Sequence, residues 1–300
     1  MALSPRLIRR RIKSVANTRK ITKAMELVAA SKMRKSVQLA LASRSYSKSA
    51  KEIVDDVRVF VDPSTHPLLA GRKTSKSALV IVAASDRGLC GGFNAQLLKK
   101  SMEFLRGRGE KDLKIVTVGK RAEAAVRRAG FPIIGAFEAI SNAPSFERSR
   151  PVGDFAYKEF MAGRVDRVFM VYTDYRSAIS VVPTVVQLLP IVPEDDIKDT
   201  IARTVDEDEE ETFDEPDILF EPDPRSILDA LLPRLLETRI YQGLLESSAS
   251  EHSARMLAMR SATDNASDML QDLTLTFNQA RQAGITREIS EISAGKAAIE

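Results

Sequence analysis

The chain has 300 residues, 44% hydrophobic and 29% charged, with a formal net charge of +4; that is enough apolar content for a real core and more length than one typical domain needs. A single cysteine, Cys90, excludes an internal disulfide and makes a reducing compartment the default, and the two histidines, His66 and His252, lie too far apart in sequence to support a zinc-type site. The longest apolar runs, such as residues 78–84, fall far short of the roughly 20 residues that cross a bilayer.

Charge is unevenly spread. Residues 1–60 carry fifteen Lys/Arg against four acids, whereas residues 206–217 carry nine acids and no base. Such asymmetry points to an acidic partner for the N-terminal arm and a solvated acidic loop later on. The start of the chain is Arg-rich and acid-poor, as import presequences are; the resemblance described below weighs against that reading.

After Pro5 there is no proline until Pro63 and no glycine until Gly71, and the stretch is rich in good helix formers. Ile8, Ile12 and Val15 recur at helical spacing, as do Ile21, Met25 and Val28. One helix over about 7–61 would be on the order of 80 Å long and must project from any compact domain.

Alternating α/β material follows. Residues 77–84 read as a buried strand, 85–94 as a Gly-rich turn, and 92–105 as a helix. A second strand over 114–118 leads into a helix near 120–129, and strands over 165–172 and 179–189 flank a turn at 174–177. This order implies a mostly parallel sheet with an antiparallel edge hairpin at 165–189. Residues 194–222 read as an exposed linker or edge region.

The far end mirrors the first helix. Asp223-Pro224 is a helix start, with Asp as N-cap and Pro at the first helical position. Pro233 is expected to kink or interrupt that helix near its base. Ala254, Ala258, Ala262 and Ala266 form a row of small side chains that lets another helix approach, and Met269, Leu270, Leu273 and Phe277 are expected to continue the same face. Two long helices at opposite chain ends suit an antiparallel coiled coil with each other. The fold class is therefore α/β: a long antiparallel coiled coil of N- and C-terminal helices plus a central Rossmann-like domain. The divisions fall at 1–62, 63–222 and 223–300.

No segment carries a catalytic constellation. The Gly-rich turn sits where a phosphate loop would, but its spacing is neither G-x-G-x-x-G nor G-x-x-x-x-G-K-[ST], which favours a structural turn over a nucleotide site. Cys90 has no histidine base in a supporting signature and reads as a small buried thiol. The basic helix is open to three partners: nucleic-acid phosphates, an anionic membrane surface, or acidic protein loops. Residues 1–45 contain no aromatic to stack on bases, and the apolar side is rich in Ala and Met rather than Trp, Phe and Leu, so neither of the first two is favoured. Charge alone does not select the third.

Four blocks carry a resemblance. ITKAMELVAASKMRK at 21–35, SDRGLCGGFN at 85–94, AMRSATDNA at 258–266 and ARQAGITREISEI at 280–292 resemble, in order and over the full length, the signatures of F-type ATP synthase gamma subunits. The resemblance implies a rotor shaft that couples rotation of the c-subunit ring to ATP synthesis or hydrolysis in the beta subunits. It makes no bonds itself and needs no cofactor. Its implied partners are the alpha and beta subunits, the epsilon subunit (delta in mitochondria) and the c ring, with no nucleic acid. By position in the matching blocks, Arg281 and Gln282 correspond to residues that hydrogen-bond a loop of a beta subunit. Met25, Arg255, Thr286 and Glu288 correspond to residues tied to coupling, and Phe220 lies where an aromatic faces the c ring and epsilon. Redox control through a cysteine pair is excluded by the lone Cys90. The implied location is peripheral, on the cytoplasmic face of a bacterial plasma (inner) membrane, because the family-like helix begins almost at Met1; the mitochondrial inner membrane, matrix side, is the alternative.

Overall fold

The computed structural model describes residues 5–62, 66–72, 76–108, 112–191, 221 and 223–297, with the side chains of 44–48, 51, 55, 58–59 and 295–297 left aside. The elements in chain order are α1 (Pro5–Val59), α2 (Pro67–Ala70), β1 (Ser77–Ala83), α3 (Phe93–Gly107), β2 (Asp112–Val118) and α4 (Lys120–Arg128). They continue with β3 (Ile133–Phe137), α5 (Phe146–Met161), β4 (Arg167–Tyr175), β5 (Val181–Leu189) and α6 (Pro224–Ala297). The chain divides into two compact units, one of residues 1–29 with 255–300 and one of residues 30–254.

The larger unit is built on a five-stranded sheet in the order β3-β2-β1-β4-β5. β1 pairs in parallel with β2 and β4, β2 in parallel with β3, and β4 in antiparallel with β5. The expected edge hairpin is therefore present, closed by Arg176 and Ser177 N–H groups donating to the Ser180 carbonyl. β1 is apolar at nearly every position because both its faces are covered. Leu79, Ile81 and Ala83 point into a core shared with α1, α5 and α6, through Val54, Val57, Val152, Phe160, Leu232 and Leu236. Ala78, Val80 and Val82 face the second core, against Phe93 and Leu97 of α3 and Ala122 and Val126 of α4. Each buried Val, Leu, Ile or Phe among them contributes about 1.5–3 kcal/mol.

Pro233 does not interrupt α6, which runs unbroken over Pro224–Ala297 with the proline inside it. The reason is tertiary: Leu228 and Leu232 before it and Leu235, Leu236 and Ile240 after it belong to one buried cluster, so packing outweighs the missing hydrogen bond. Further along, α6 buries a polar run. Ser247 donates to the Ala83 carbonyl (3.3 Å), Ser250 to the Thr173 carbonyl (3.2 Å) and Ser253 to the Ala178 carbonyl. Those oxygens lie at the C-terminal ends of β1 and β4 and in the hairpin, where ladder partners run out. In the same unit Ser36 of α1 and Ser248 of α6 lie 3.2 Å apart, oxygen to oxygen.

The smaller unit is a pair of helices. Thr263 donates to the Thr22 hydroxyl (2.8 Å), and the Arg9 guanidinium lies 5.5 Å from the Phe277 ring centroid. Moving back along α1 from Thr22 to Arg9 thus moves forward along α6 from Thr263 to Phe277, so the helices are antiparallel. Among the covered positions on α6, Met259, Thr263, Ala266, Leu270, Leu273 and Phe277 alternate four and three residues apart in the manner of a heptad seam. One expectation is corrected. Met269 is off this seam and exposed. On α1, Ile21 and Val28 are 61% and 57% exposed and Met25 is half-buried, whereas their neighbours Thr22 and Ala29 are buried, Ala29 to 2%. The seam in this stretch is made of small residues that admit the partner helix closely, and the larger apolar residues beside them face outward.

Candidate partner-contact surface

α1 opens with a local conflict. Its first turn has no acid, and Arg6, Arg9, Arg10 and Arg11 crowd its first two turns, all exposed. Cations there oppose the positive end of the helix dipole, each at a cost of up to about 1 kcal/mol in the first turn. Among the described residues Arg6, Arg10 and Arg11 make no ion pair. Arg9 is held over Phe277. For Arg6, Arg10 and Arg11 the rule is broken without compensation among the described residues, as on a surface that meets an outside partner.

The same unit exposes the end of α6. Arg281, Gln282, Thr286 and Glu288 are all exposed and, among the described residues, make no side-chain hydrogen bond or ion pair. Arg281 and Glu288, seven residues apart, share one face with Ile285 and Ile292. Gln282 and Thr286, one turn apart, lie on the adjoining face with Ile289. Ile292 is 73% exposed, and Ile285 and Ile289 more than half or close to it. The structure thus brings four of the sequence-predicted residues onto one surface with three isoleucines that the motif reading did not single out. Their signal was visible as an i, i+4, i+7 spacing shared with Arg281 and Glu288. Met25 is half-buried on α1 and Arg255 is buried; neither joins the α6 group. Phe220 and the acidic run 206–217 lie outside the described residues.

In the larger unit the Gly-rich loop follows β1 and lies at the carboxyl edge of the parallel strands, where open α/β sheets hold ligands. Here the loop is closed by its own groups. Asn94 Oδ1 accepts the Ser85 N–H (3.2 Å), Asn94 Nδ2 donates to Ser85 Oγ (2.8 Å) and to Cys90 Sγ (3.1 Å), and Ser85 Oγ donates to the Arg87 carbonyl (2.6 Å). Asp86 accepts the Lys120 N–H (3.2 Å) at the start of α4, so a side-chain carboxylate of the protein sits where a helix terminus would hold an anion. The loop has the geometry of a structural turn, with Leu89 and Gly91 at positive φ and Cys90 buried beneath it. Behind it, Gly119 passes so close to the Ala84 carbonyl that a Cβ would lie 2.2 Å from the oxygen.

At the opposite edge, burial disfavours the charge on Asp166, but the Lys76 and Ser77 N–H groups, the Ser77 hydroxyl and the Arg72 guanidinium outweigh it and hold the carboxyl well below the usual carboxylate range. Asp166 therefore clamps the entry to β1 against that to β4. Among the described residues no group of His, Cys, Asp and Glu could hold a metal ion.

The family model described as ATP synthase matches residues 4–299. The chain is 41% identical to the ATP synthase gamma chain of Pelotomaculum thermopropionicum, over 99% of each chain, and 40% identical to that of Moorella thermoacetica, over 98% of each. A chain in the structure of the Euglena gracilis mitochondrial ATP synthase OSCP/F1/c-ring is similar with a TM-score of 0.64 at 18% identity, covering 98% of this chain and 94% of that one. One in the central stalk and c-ring structure of the Tetrahymena thermophila enzyme reaches 0.58 at 24% identity, covering 81% and 99%. At those identities the structural likeness speaks for the fold alone. The near-complete coverage of sequence relatives speaks for more: the chain belongs to the family of ATP synthase gamma chains.

Proposed function

We propose that this chain is the central rotor shaft of an F-type ATP synthase, coupling rotation of a c ring to ATP synthesis or hydrolysis in beta subunits. The observation that carries the reading is the surface of the smaller unit, where unpaired arginines and exposed isoleucines lie on a helix pair that buries its seam but not its outer faces. Such a surface is stable in water only at a cost, and it suits acidic and apolar collars on surrounding subunits. As a gamma chain the protein is a subunit of ATP synthase; we infer that it is non-catalytic and holds no cofactor. Residues 1–62 and 223–300 serve as the shaft and 63–222 as the domain resting on epsilon and the c ring, with Phe220 at that foot. Arg281 and Gln282 meet a beta subunit, and Met25, Arg255, Thr286 and Glu288 tune coupling.

A planar guanidinium and an amide that both donates and accepts suit a contact that must form and break. Exposed ionic contacts of about 0–1 kcal/mol each avoid one deep well and so permit turning. Because the shaft is not threefold symmetric, it contacts three surrounding beta subunits unequally, and only unequal contacts shift conformational populations. No helix among the described residues is long and apolar enough to cross a membrane, and we place the chain as a peripheral subunit of a membrane-bound complex, on the cytoplasmic face of a bacterial inner membrane.

The test is co-expression with the matching alpha and beta subunits, followed by ATPase and single-molecule rotation assays. Cys90 is buried, so the bead handle belongs on an exposed site such as Lys100→Cys in a Cys90→Ser chain. Co-purification with ATP-driven rotation, and no hydrolysis by the chain alone, is the expected result. Failure to co-purify, or hydrolysis by the isolated chain, overturns the reading.

A further inference from the structure

The connection between β3 and α5 carries a dipeptide, Ser141-Asn142, that bonds to three other parts of the larger unit. From α1, Lys32 Nζ donates to Asn142 Oδ1 at 2.9 Å. From α6, His252 Nε2 lies 3.1 Å from the Asn142 carbonyl oxygen; a carbonyl only accepts, so Nε2 carries the hydrogen. Ser141 Oγ donates to Asp86 Oδ2 (2.9 Å) and accepts the Asp86 N–H (3.2 Å), which reaches the loop after β1. The other Asp86 oxygen takes the Lys120 N–H at the start of α4. Ser141 and His252 are buried and Lys32 and Asn142 half-buried, so these bonds are partly shielded from water. A second observation falls on the same connection: Ala139 stands at φ 60, a conformation that side-chain-bearing residues avoid and that persists where the surroundings over-determine it.

We propose that Ser141-Asn142 is a torque joint of the chain, a pair of positioning residues that, alongside the Ser247, Ser250 and Ser253 bonds of α6, locks both long helices to the sheet. The proposal rests on the rotor reading above. A helix held to a sheet by apolar packing alone can creep under a sideways load, because dispersion contacts are non-directional. Directional bonds from one short connection to α1, α6 and the β1–α3 loop resist that creep in three directions at once. Torque applied at the domain then appears in the helices rather than as slip at their base.

Asn142→Ala removes the acceptor for Lys32 and leaves the backbone carbonyl for His252. Losing one charge-assisted bond makes local opening about tenfold more frequent, so amide exchange over residues 139–145 and around Lys32 is expected to rise about tenfold. In the assembled alpha–beta complex, a bead on the domain at Lys100→Cys is expected to fluctuate over a wider angle when stalled, at unchanged maximal ATPase. Asn142→Asp keeps the acceptor oxygen and is expected to restore wild-type bead fluctuations, which a merely destabilising change would not. Lys32→Met, a near-isostere at the other end of the same bond, is expected to reproduce Asn142→Ala and stands in for it if that variant does not fold. Wild-type bead fluctuations in Asn142→Ala or Lys32→Met overturn the proposal, as does Asn142→Asp behaving like Asn142→Ala. Failure of the rotor reading itself shows elsewhere, in an unmodified chain that does not turn in the complex.

Discussion

Gly119→Ala tests how rigidly the Gly-rich loop is seated. The residue stands at φ +92, and an added Cβ would lie 2.2 Å from the Ala84 carbonyl oxygen, about 1 Å inside the closest ordinary carbon–oxygen approach. Neither strand can yield freely. Gly119 donates its N–H to the Phe137 carbonyl (2.8 Å), Ala84 donates to the Val118 carbonyl (2.9 Å), and Arg121 donates to the Ser85 carbonyl (3.1 Å). Shifting the backbone by about 1 Å sacrifices about two of these bonds, at roughly 1 kcal/mol each, and the positive φ adds about 1–2 kcal/mol for a residue with a Cβ. The expected cost is about 3–4 kcal/mol. With a urea dependence of about 2 kcal/mol per molar, the unfolding midpoint of the larger unit, read by pulse proteolysis, should fall by about 1.5–2 M. Gly130→Ala is the internal control: its φ is +79 but nothing lies within 4 Å of an added Cβ, so it should show only the backbone share of about 1–2 kcal/mol. Equal losses in the two variants would refute the argument, because the close approach would then be soft.

Asp166→Asn should destabilise the larger unit by about 1–3 kcal/mol at pH 7. Because the folded carboxyl titrates below its unfolded value, its contribution is complete above the unfolded pKa of about 4 and is lost as the pH falls further; the gap between variant and wild type in urea midpoint should therefore narrow below about pH 4. Ala29→Leu, on the buried seam, should cost about 1–3 kcal/mol by overpacking, while Val28→Ala on the exposed side should move stability by less than about 0.5 kcal/mol; thermal melts of the two variants compare them directly. Arg281→Ala should leave the melting of the isolated chain unchanged and slow ATP hydrolysis by the assembled complex, by at most about fivefold for one exposed ionic contact. Maleimide should modify Cys90 only after urea unfolding, since the thiol is buried and accepts from Asn94 Nδ2 at 3.1 Å.

The long helices and the strands β1, β2, β4 and β5 were legible because their signals are dense: no glycine or proline for most of α1, β-branched runs at β1 and β4, and a spaced turn between β4 and β5. β3 and α5 were not read. β3 is only Ile133–Phe137 with Gly135 inside it, too short for a periodic signal. α5 contains Pro151 and Gly153, which read as breakers. The structure gives Gly153 a reason: an added Cβ would lie 3.2 Å from Glu237 Cγ, so the glycine allows α5 to sit against α6. The outward setting of Ile21 and Val28 has a different origin. Apolar periodicity marks a covered face only when the seam uses large residues; here Thr22 and Ala29 form it, and nothing local distinguishes a small-residue seam from a neutral surface. For the contact residues, the motif blocks located Arg281, Gln282, Thr286 and Glu288 without geometry, whereas grouping them with Ile285, Ile289 and Ile292 required the helix. The Ser141-Asn142 bridge was invisible for a similar reason, since its partners are more than a hundred positions away along the chain at Lys32 and His252.

The three serines of α6 have a mechanical meaning of their own. Ser247, Ser250 and Ser253 engage fixed carbonyls over six residues of helix, about 9 Å of axial length. They act as splines do on an axle. A slip of one residue would turn the helix by about 100° and advance it by about 1.5 Å, lifting all three hydroxyls from their seats together. Between one seat and the next there is no half-engaged position of low energy, so the helix is indexed as well as held. A smooth apolar face would have given the same adhesion with no such memory of angle.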